Sequence, residues 1–171
     1  MGIKVNGKII VESYRNEIKL VISEGAMKGL RAPSIKTILV GDDGGSLSYV
    51  KSQNKLCDKL GVSYSCDYLD KDVDEVEIMD IIEKYNEDNT VDGIIVQLPL
   101  PKKFNEKDIT SKISYKKDID GLTDKNMGRF YKREKEAVGI GLMTIRMVIK
   151  NVCIVSRNPV LFCKGTFSAV N

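Results

Sequence analysis

The sequence predicts an α/β fold in which a parallel β-sheet carries helices on both faces, in three layers. Amphipathic helical segments alternate with short apolar strands from residue 9 to residue 96, and this alternation is typical of parallel sheets. The clearest strand is the apolar run at residues 94–96, which is followed by Gln97 and stopped by Pro99 and Pro101. A run without polar residues indicates a strand that is buried on both faces.

Periodicity and turn residues define the other elements in order. Apolar side chains recur at helical spacing between charged ones, and Gly29 and Gly61 are positioned to end two of the helices as C-caps. The predicted elements are a helix over residues 9–28, a strand over 35–40, a helix from the glycine-rich turn at 41–46 to Gly61, a strand over 62–69, a helix over 74–85, the strand around 94–96 and a short helix over 105–113.

Composition narrows the classes of function. The 171 residues suit one domain, or one domain with part of another, and a net charge of +3 without a basic block does not favour nucleic acid or a membrane surface. The four cysteines lack zinc-type spacing and the chain has no histidine, so metal chemistry is not expected. The start of the chain shows no apolar signal core, which predicts a reducing cytoplasm as the location.

The turn at residues 41–46 and the helix after it form the first candidate site. A glycine-rich turn between a strand and a helix can hold an anion on its backbone amides, although this one matches no nucleotide-binding motif and is also consistent with a plain tight turn. Tyr49 and Gln53 lie four residues apart, so both project from one face of the helix, whereas Lys51 and Lys55 cannot share that face. The alternative is that Tyr49 is a core residue and Gln53 a surface one.

The ends of two later segments form the second candidate site. Gln97 would place an amide at the carboxyl edge of the sheet, where open α/β folds bind ligands, or it would simply begin a proline-stiffened loop. Asp118 and Asp120 would act as an acid and base pair, or would belong to a solvated turn around Gly121. In the absence of histidine, any proton transfer near neutral pH would need lysine, tyrosine, cysteine or a carboxylate with a shifted pKa.

In combination these segments resemble the bifunctional methylenetetrahydrofolate dehydrogenase/methenyltetrahydrofolate cyclohydrolase family. The Val-Gln-Leu-Pro-Leu-Pro sequence at 96–101 and the Lys-Asp-Ile-Asp-Gly sequence at 117–121 are the most specific elements. The matching stretches are residues 29–33, 40–43, 92–101 and 117–122, with Ser46, Tyr49, Asn126, Gly128 and Arg129. Order and spacing agree over residues 1 to about 135.

The resemblance implies a folate-binding catalytic domain over residues 1–135 and an NADP-dependent oxidation of 5,10-methylenetetrahydrofolate, followed by hydrolysis to 10-formyltetrahydrofolate. By matched position, Tyr49 packs on the pterin and aminobenzoate rings, Gln97 hydrogen-bonds the catalytic side chain and Asp120 binds the pterin. The implied catalytic residues are Tyr49, Gln53, Gln97 and Asp120, and the implied substrate-binding residues are Ser46, Tyr49, Gln97, Leu98, Pro99 and Asp120.

Three departures qualify this implication. The family's catalytic lysine position holds Gln53, an amide that cannot shuttle a proton, which questions the cyclohydrolase step. The family's Pro-Cys-Thr-Pro element is not found at residues 136–139, and residues 151–157 resemble only the first Rossmann strand and its turn. Residues 136–171 are therefore expected to be a degenerate remnant of the linker and the cofactor domain, in which Ser156 and Arg157 mark an NADP site that is not intact.

Two functions remain open on this basis. One is a folate-dependent dehydrogenase. The other is a catalytically inactive folate-domain fragment, carboxyl-terminally truncated, that retains at most ligand binding or oligomerisation. The strand-like residues 151–155 would be an unpaired edge, which predicts association into oligomers, including a homodimer, or poor solubility.

Overall fold

The computed structural model describes residues 7–132, and it confirms the predicted α/β class. The elements are α1 (Gly7–Met27), β1 (Ser34–Val40), α2 (Gly44–Leu60), β2 (Ser63–Leu69), α3 (Glu75–Glu87), β3 (Gly93–Val96), α4 (Glu106–Ser111) and α5 (Asp124–Tyr131). Every helix and strand predicted before residue 113 is present. The predictions for residues 136–171, including Ser156, Arg157 and the edge at 151–155, lie outside the described residues.

The three strands form one parallel sheet in the order β2-β1-β3, so the first strand is central. Ile35 is paired with Tyr64 on one side and with Gly93 on the other, and Ile38 is paired with Val96. All four residues of β3 are buried, because both of its faces are covered, as the apolar run predicted. A single bridge from Ile94 to Asp118 extends the sheet beyond β3.

Two hydrophobic clusters lie on opposite faces of the sheet and account for its three layers. On one face, Ile38 and Val40 pack with Ile78 and Ile82 of α3 and with Ile109 of α4. The other cluster joins alternate strand residues to the first two helices, with Ile18, Ile35, Cys57, Leu60 and Ile95 among its members. Within residues 7–132, no helix combines the length and the apolar character needed to span a bilayer.

An ion pair between Arg31 and Asp92 connects two loops at the amino edge of the sheet. The guanidinium of Arg31 donates to both carboxylate oxygens of Asp92, at 2.6 and 2.8 Å. The same carboxylate accepts a hydrogen bond from the backbone N–H of Ser34 at 2.8 Å. The pair therefore joins the residues before β1 to the residue before β3, and bidentate geometry makes it stronger than a single contact.

Helix α5 was not predicted from the sequence. It is a short helix of eight residues that includes Gly128, and its amphipathic pattern is too brief to identify by periodicity alone. The available signal was the N-cap: Thr123 accepts a hydrogen bond from the backbone N–H of Asn126, and Asp124 occupies the first turn.

Candidate functional site

The loops that follow the strands meet at the carboxyl edge of the sheet. The backbone N–H of Gln97 donates to the carbonyl of Ile38 at 2.9 Å, so Gln97 continues the pairing beyond β3. Gly41, which follows β1 with φ +85°, approaches Pro101: a side chain at position 41 would begin 3.7 Å from the proline ring. The predicted residues Tyr49, Gln97 and Asp120 each follow strand segments that end at this edge, which is where α/β folds bind ligands.

The turn at the start of α2 is capped by its own carboxylate. Asp43 is the N-cap residue, and its side chain accepts a hydrogen bond from the backbone N–H of Ser46 at 2.8 Å. This hydrogen bond holds the pKa of the exposed Asp43 carboxyl below its usual range. A negative group therefore already occupies the helix N-terminus, which favours the tight-turn interpretation over an anion-binding loop. Ser46 itself is buried.

Tyr49 and Gln53 differ from the ordinary roles that the sequence allowed. Tyr49 is 57% exposed, so it is not a core residue, and its ring is available at the surface. Gln53 is half-buried rather than on the outer surface, whereas Lys51 and Lys55 are exposed, as their spacing predicted. Tyr49 therefore presents its ring at the surface, and Gln53 lies on a less exposed side of α2 than the two lysines.

Tyr64 is the partner of Gln53, and sequence reasoning missed it. Its hydroxyl donates to Oε1 of Gln53 at 2.9 Å across the space between β2 and α2. Burial raises the pKa of Tyr64, and the nearby Thr37 hydroxyl acts against that rise. Thr37 is fully buried, and its Oγ1 forms no hydrogen bond of good geometry. The available signal was strand alternation, which places position 64 on the same face as Thr37 after pairing with β1.

Gln97 has one end of its amide fixed by the loop that follows it. Its Nε2 donates to the carbonyl of Leu98 at 2.8 Å, which leaves Oε1 as an acceptor. The Leu98–Pro99 peptide is cis. Leu98 is half-buried and Pro99 is exposed, and the following backbone N–H, of Leu100, donates to Glu106 at 2.8 Å.

The two aspartates differ in their surroundings. Asp118 is 1% exposed. Its carboxylate accepts hydrogen bonds from the backbone N–H groups of Gly121, Leu122 and Thr123 and from the amide of Asn126, at 2.9 to 3.1 Å. Asp118 thus organises the turn and the start of α5, and its acceptor capacity is used within the protein.

Asp120 is the more exposed of the two carboxyl groups. It is half-buried, and its pKa is raised, chiefly by burial and secondarily by the charge of Asp118. A partly buried carboxyl with a raised pKa is a candidate for function.

Two features within residues 7–132 bear on metal and cofactor binding. No cluster of three or more potential metal-ligating side chains occurs within residues 7–132. The helix N-terminus after the glycine-rich turn, the feature that would hold a diphosphate, is occupied by Asp43.

Comparison with known proteins agrees with this fold. Residues 5–120 match the family model described as "Tetrahydrofolate dehydrogenase/cyclohydrolase, catalytic domain". The chain is 42% identical over 151 residues to "Bifunctional protein FolD" of Clostridium tetani, covering 88% of this chain and 54% of that protein. It is 44% identical over 163 residues to the protein of the same name from Clostridium acetobutylicum, covering 94% and 59%. The chain thus spans little more than half the length of these relatives.

Solved structures give the same result. A 5,10-methylenetetrahydrofolate dehydrogenase of the silkworm, Bombyx mori, superposes with a TM-score of 0.71 and 37% identity, covering 75% of this chain and 44% of that one. The Trypanosoma brucei dehydrogenase-cyclohydrolase, solved with NADP cofactor and an inhibitor, gives 0.72 and 27%, covering 80% and 46%. These matches confirm the predicted family and fold: the chain belongs to the tetrahydrofolate dehydrogenase/cyclohydrolase family.

Proposed function

We propose that this chain binds a one-carbon derivative of tetrahydrofolate at the carboxyl edge of its sheet and acts as the catalytic domain of a methylenetetrahydrofolate dehydrogenase. The observation that carries the proposal is the half-buried carboxyl of Asp120, which lies two residues after the bridge that joins Asp118 to β3 and has a pKa raised chiefly by burial. The exposed ring of Tyr49 lies on the helix that begins at the same edge. The family membership supports the ligand class.

Each of these groups suits one part of a reduced folate. The pterin presents neighbouring N–H donors, which a carboxyl such as Asp120 can accept in pairs. A flat aromatic ring such as Tyr49 can stack on the pterin or the aminobenzoate. The free Oε1 of Gln97 can accept one further hydrogen bond. Together they would hold the folate in a fixed orientation, which is the main requirement for a hydride transfer.

Bound NADP would supply the hydride acceptor for oxidation of the methylene carbon. At the glycine-rich turn, the helix N-terminus that could hold a diphosphate carries the carboxylate of Asp43. Residues 7–132 would therefore provide the folate half of the reaction: they would bind the substrate, exclude water from one side and orient the carbon.

The hydrolytic step is not supported by the residues on this face. Gln53 occupies the position of the family's lysine, and an amide does not exchange a proton near neutral pH. Lys117 is no substitute, because its ammonium donates to the carbonyls of Tyr85 and Asp88, at 2.7 Å each, beside the end of α3. We therefore propose a dehydrogenase that lacks efficient cyclohydrolase activity.

Gln53 and the capped turn also favour a second candidate, a folate-binding protein without catalysis. Both candidates predict binding, and only the first predicts turnover. Titration calorimetry with 5-formyltetrahydrofolate tests binding: wild type should bind, Asp120→Ala should bind at least tenfold more weakly, and the exposed Asp124→Ala should match wild type. Absence of binding by wild type would exclude both candidates.

A spectrophotometric assay with methylenetetrahydrofolate and NADP then separates the two. Formation of NADPH and of the methenyl product supports the dehydrogenase. Binding without NADPH formation supports the non-catalytic protein.

We also propose a cytoplasmic location and a homodimeric state. The location rests on the free thiols of Cys57 and Cys66, which suit a reducing compartment. Light scattering of the purified chain tests the dimer, and a monomer at all concentrations would contradict it.

A further inference from the structure

Only the oxygen of the Gln53 amide is hydrogen-bonded within residues 7–132. Its Oε1 accepts the hydroxyl of Tyr64 at 2.9 Å, whereas its Nε2 donates to no group within residues 7–132. Because the oxygen and nitrogen of an amide are held in one plane, fixing the oxygen also fixes the nitrogen. The group left for a ligand is therefore the NH₂ donor.

Tyr64 is suited to this task because its hydroxyl stays protonated. Burial against the α2 side of the sheet raises the pKa of Tyr64, so that it remains a neutral donor throughout the physiological range. The fully buried hydroxyl of Thr37 lies beside it on β1. The side chain of Tyr64 is itself packed against the cluster that contains Ile35, Leu60 and Ile95, which restrains its ring.

We propose that Tyr64 is a positioning residue that fixes Gln53 with its NH₂ group toward the bound folate, so that the site favours a folate carrying a formyl oxygen over one carrying a methyl group. The inference rests on the proposed function, because it takes Gln53 to face the one-carbon unit. A formyl oxygen accepts a hydrogen bond and a methyl group does not, so only the first satisfies the fixed donor.

A pair of ligands that differ at this one group tests the proposal: 5-formyltetrahydrofolate and 5-methyltetrahydrofolate, titrated against the 171-residue chain. Wild type should bind the formyl compound about three to ten times more tightly, which corresponds to one hydrogen bond. Tyr64→Phe should reduce this ratio to about one to two and leave the affinity for the methyl compound unchanged. If Tyr64 had only a structural role, Tyr64→Phe would weaken the binding of both ligands equally.

Two further variants complete the test. Gln53→Glu keeps an acceptor for Tyr64 but removes the NH₂ donor, and it should reverse the ratio in favour of the methyl compound. Tyr68→Phe makes the same chemical change at an exposed position of the same strand, and it should retain the wild-type ratio.

The outcomes distinguish the two proposals. If wild type binds neither compound, the proposed function fails and this inference fails with it. If wild type binds both equally, or if Tyr64→Phe keeps the full formyl preference, the inference is overturned while the proposed function stands.

Discussion

The turn built on Asp118 offers the most direct test of the structure. Replacing Asp118 by asparagine changes almost no volume but exchanges one acceptor oxygen for a donor. The remaining oxygen can still serve the N–H groups of Gly121 and Leu122, which now share Oδ1. The new NH₂ group then faces two donors, the backbone N–H of Thr123 and the amide of Asn126, each 2.9 Å from Oδ2.

The expected cost follows from these two lost hydrogen bonds. Asp118 and Asn126 are both buried, so water cannot replace the lost partners, and each unsatisfied donor costs about 1 to 2 kcal/mol. The substitution should therefore reduce the free energy of unfolding by about 2 to 4 kcal/mol, a large share of the 5 to 15 kcal/mol typical of a domain. It should also weaken folate binding, because the same turn positions Asp120.

Urea denaturation followed by circular dichroism measures this loss. The matched control is Asp124→Asn, since that carboxylate is 80% exposed and forms only a surface ion pair with Lys107 at 3.7 Å. The control should change the free energy of unfolding by less than about 1 kcal/mol. A variant at 118 that stayed within about 0.5 kcal/mol of wild type would show that these hydrogen bonds do not hold the turn.

Three other predictions concern charge. Burial raises the pKa of Asp120 in the folded state, so the free energy of unfolding should fall as pH rises through the ordinary aspartate range. The Asp120→Asn variant should lack this fall. In urea titrations it should be more stable than wild type at pH 7, but not at pH 3. Gln53→Lys should gain cyclohydrolase activity, measured as loss of the methenyl absorbance. An unchanged rate of hydrolysis would show that the glutamine at position 53 is not what limits this step. Arg31→Ala should lower the free energy of unfolding by about 1 kcal/mol, because that side chain is partly exposed. Asp92→Ala should lower it by about 2 kcal/mol, since the N–H of Ser34 also loses its partner. Equal losses of stability in thermal unfolding would contradict this prediction.

The strands were predicted well because a buried strand is recognisable in the sequence by its apolar residues. Residues 94–96 are apolar without interruption, and the structure buries every one of them between two layers of helices. Gly29 and Gly61 both adopt positive φ, at 76° and 79°, as their C-cap positions predicted. These features depend on neighbours in the chain or on one face of a single element, which is the information that periodicity contains.

The details of the site could not be predicted in the same way, because they depend on contacts between distant segments. Asp118 and Asp120 have the same chemistry and lie two residues apart. Only the backbone path through Gly121 to Thr123 decides that Asp118 is enclosed and that Asp120 remains available. Likewise, the contact between Gln53 and Tyr64 needs the packing of α2 on β2, which no local pattern contains.

On the proposed function, the residues around Gln53 on α2 favour an oxidation that stops at its first product. On β2, burial raises the pKa of Cys66 to about 11 and raises the pKa of Tyr64 as well, so neither group exchanges a proton readily near pH 7. Gln53 is neutral at every pH, so it does not repel the cationic methenyl product as a lysine ammonium would. Without a proton carrier to promote its hydrolysis, that cation should accumulate. The assay should therefore show methenyltetrahydrofolate rising in step with NADPH, and formyl product that kept pace with NADPH from the start would refute the argument.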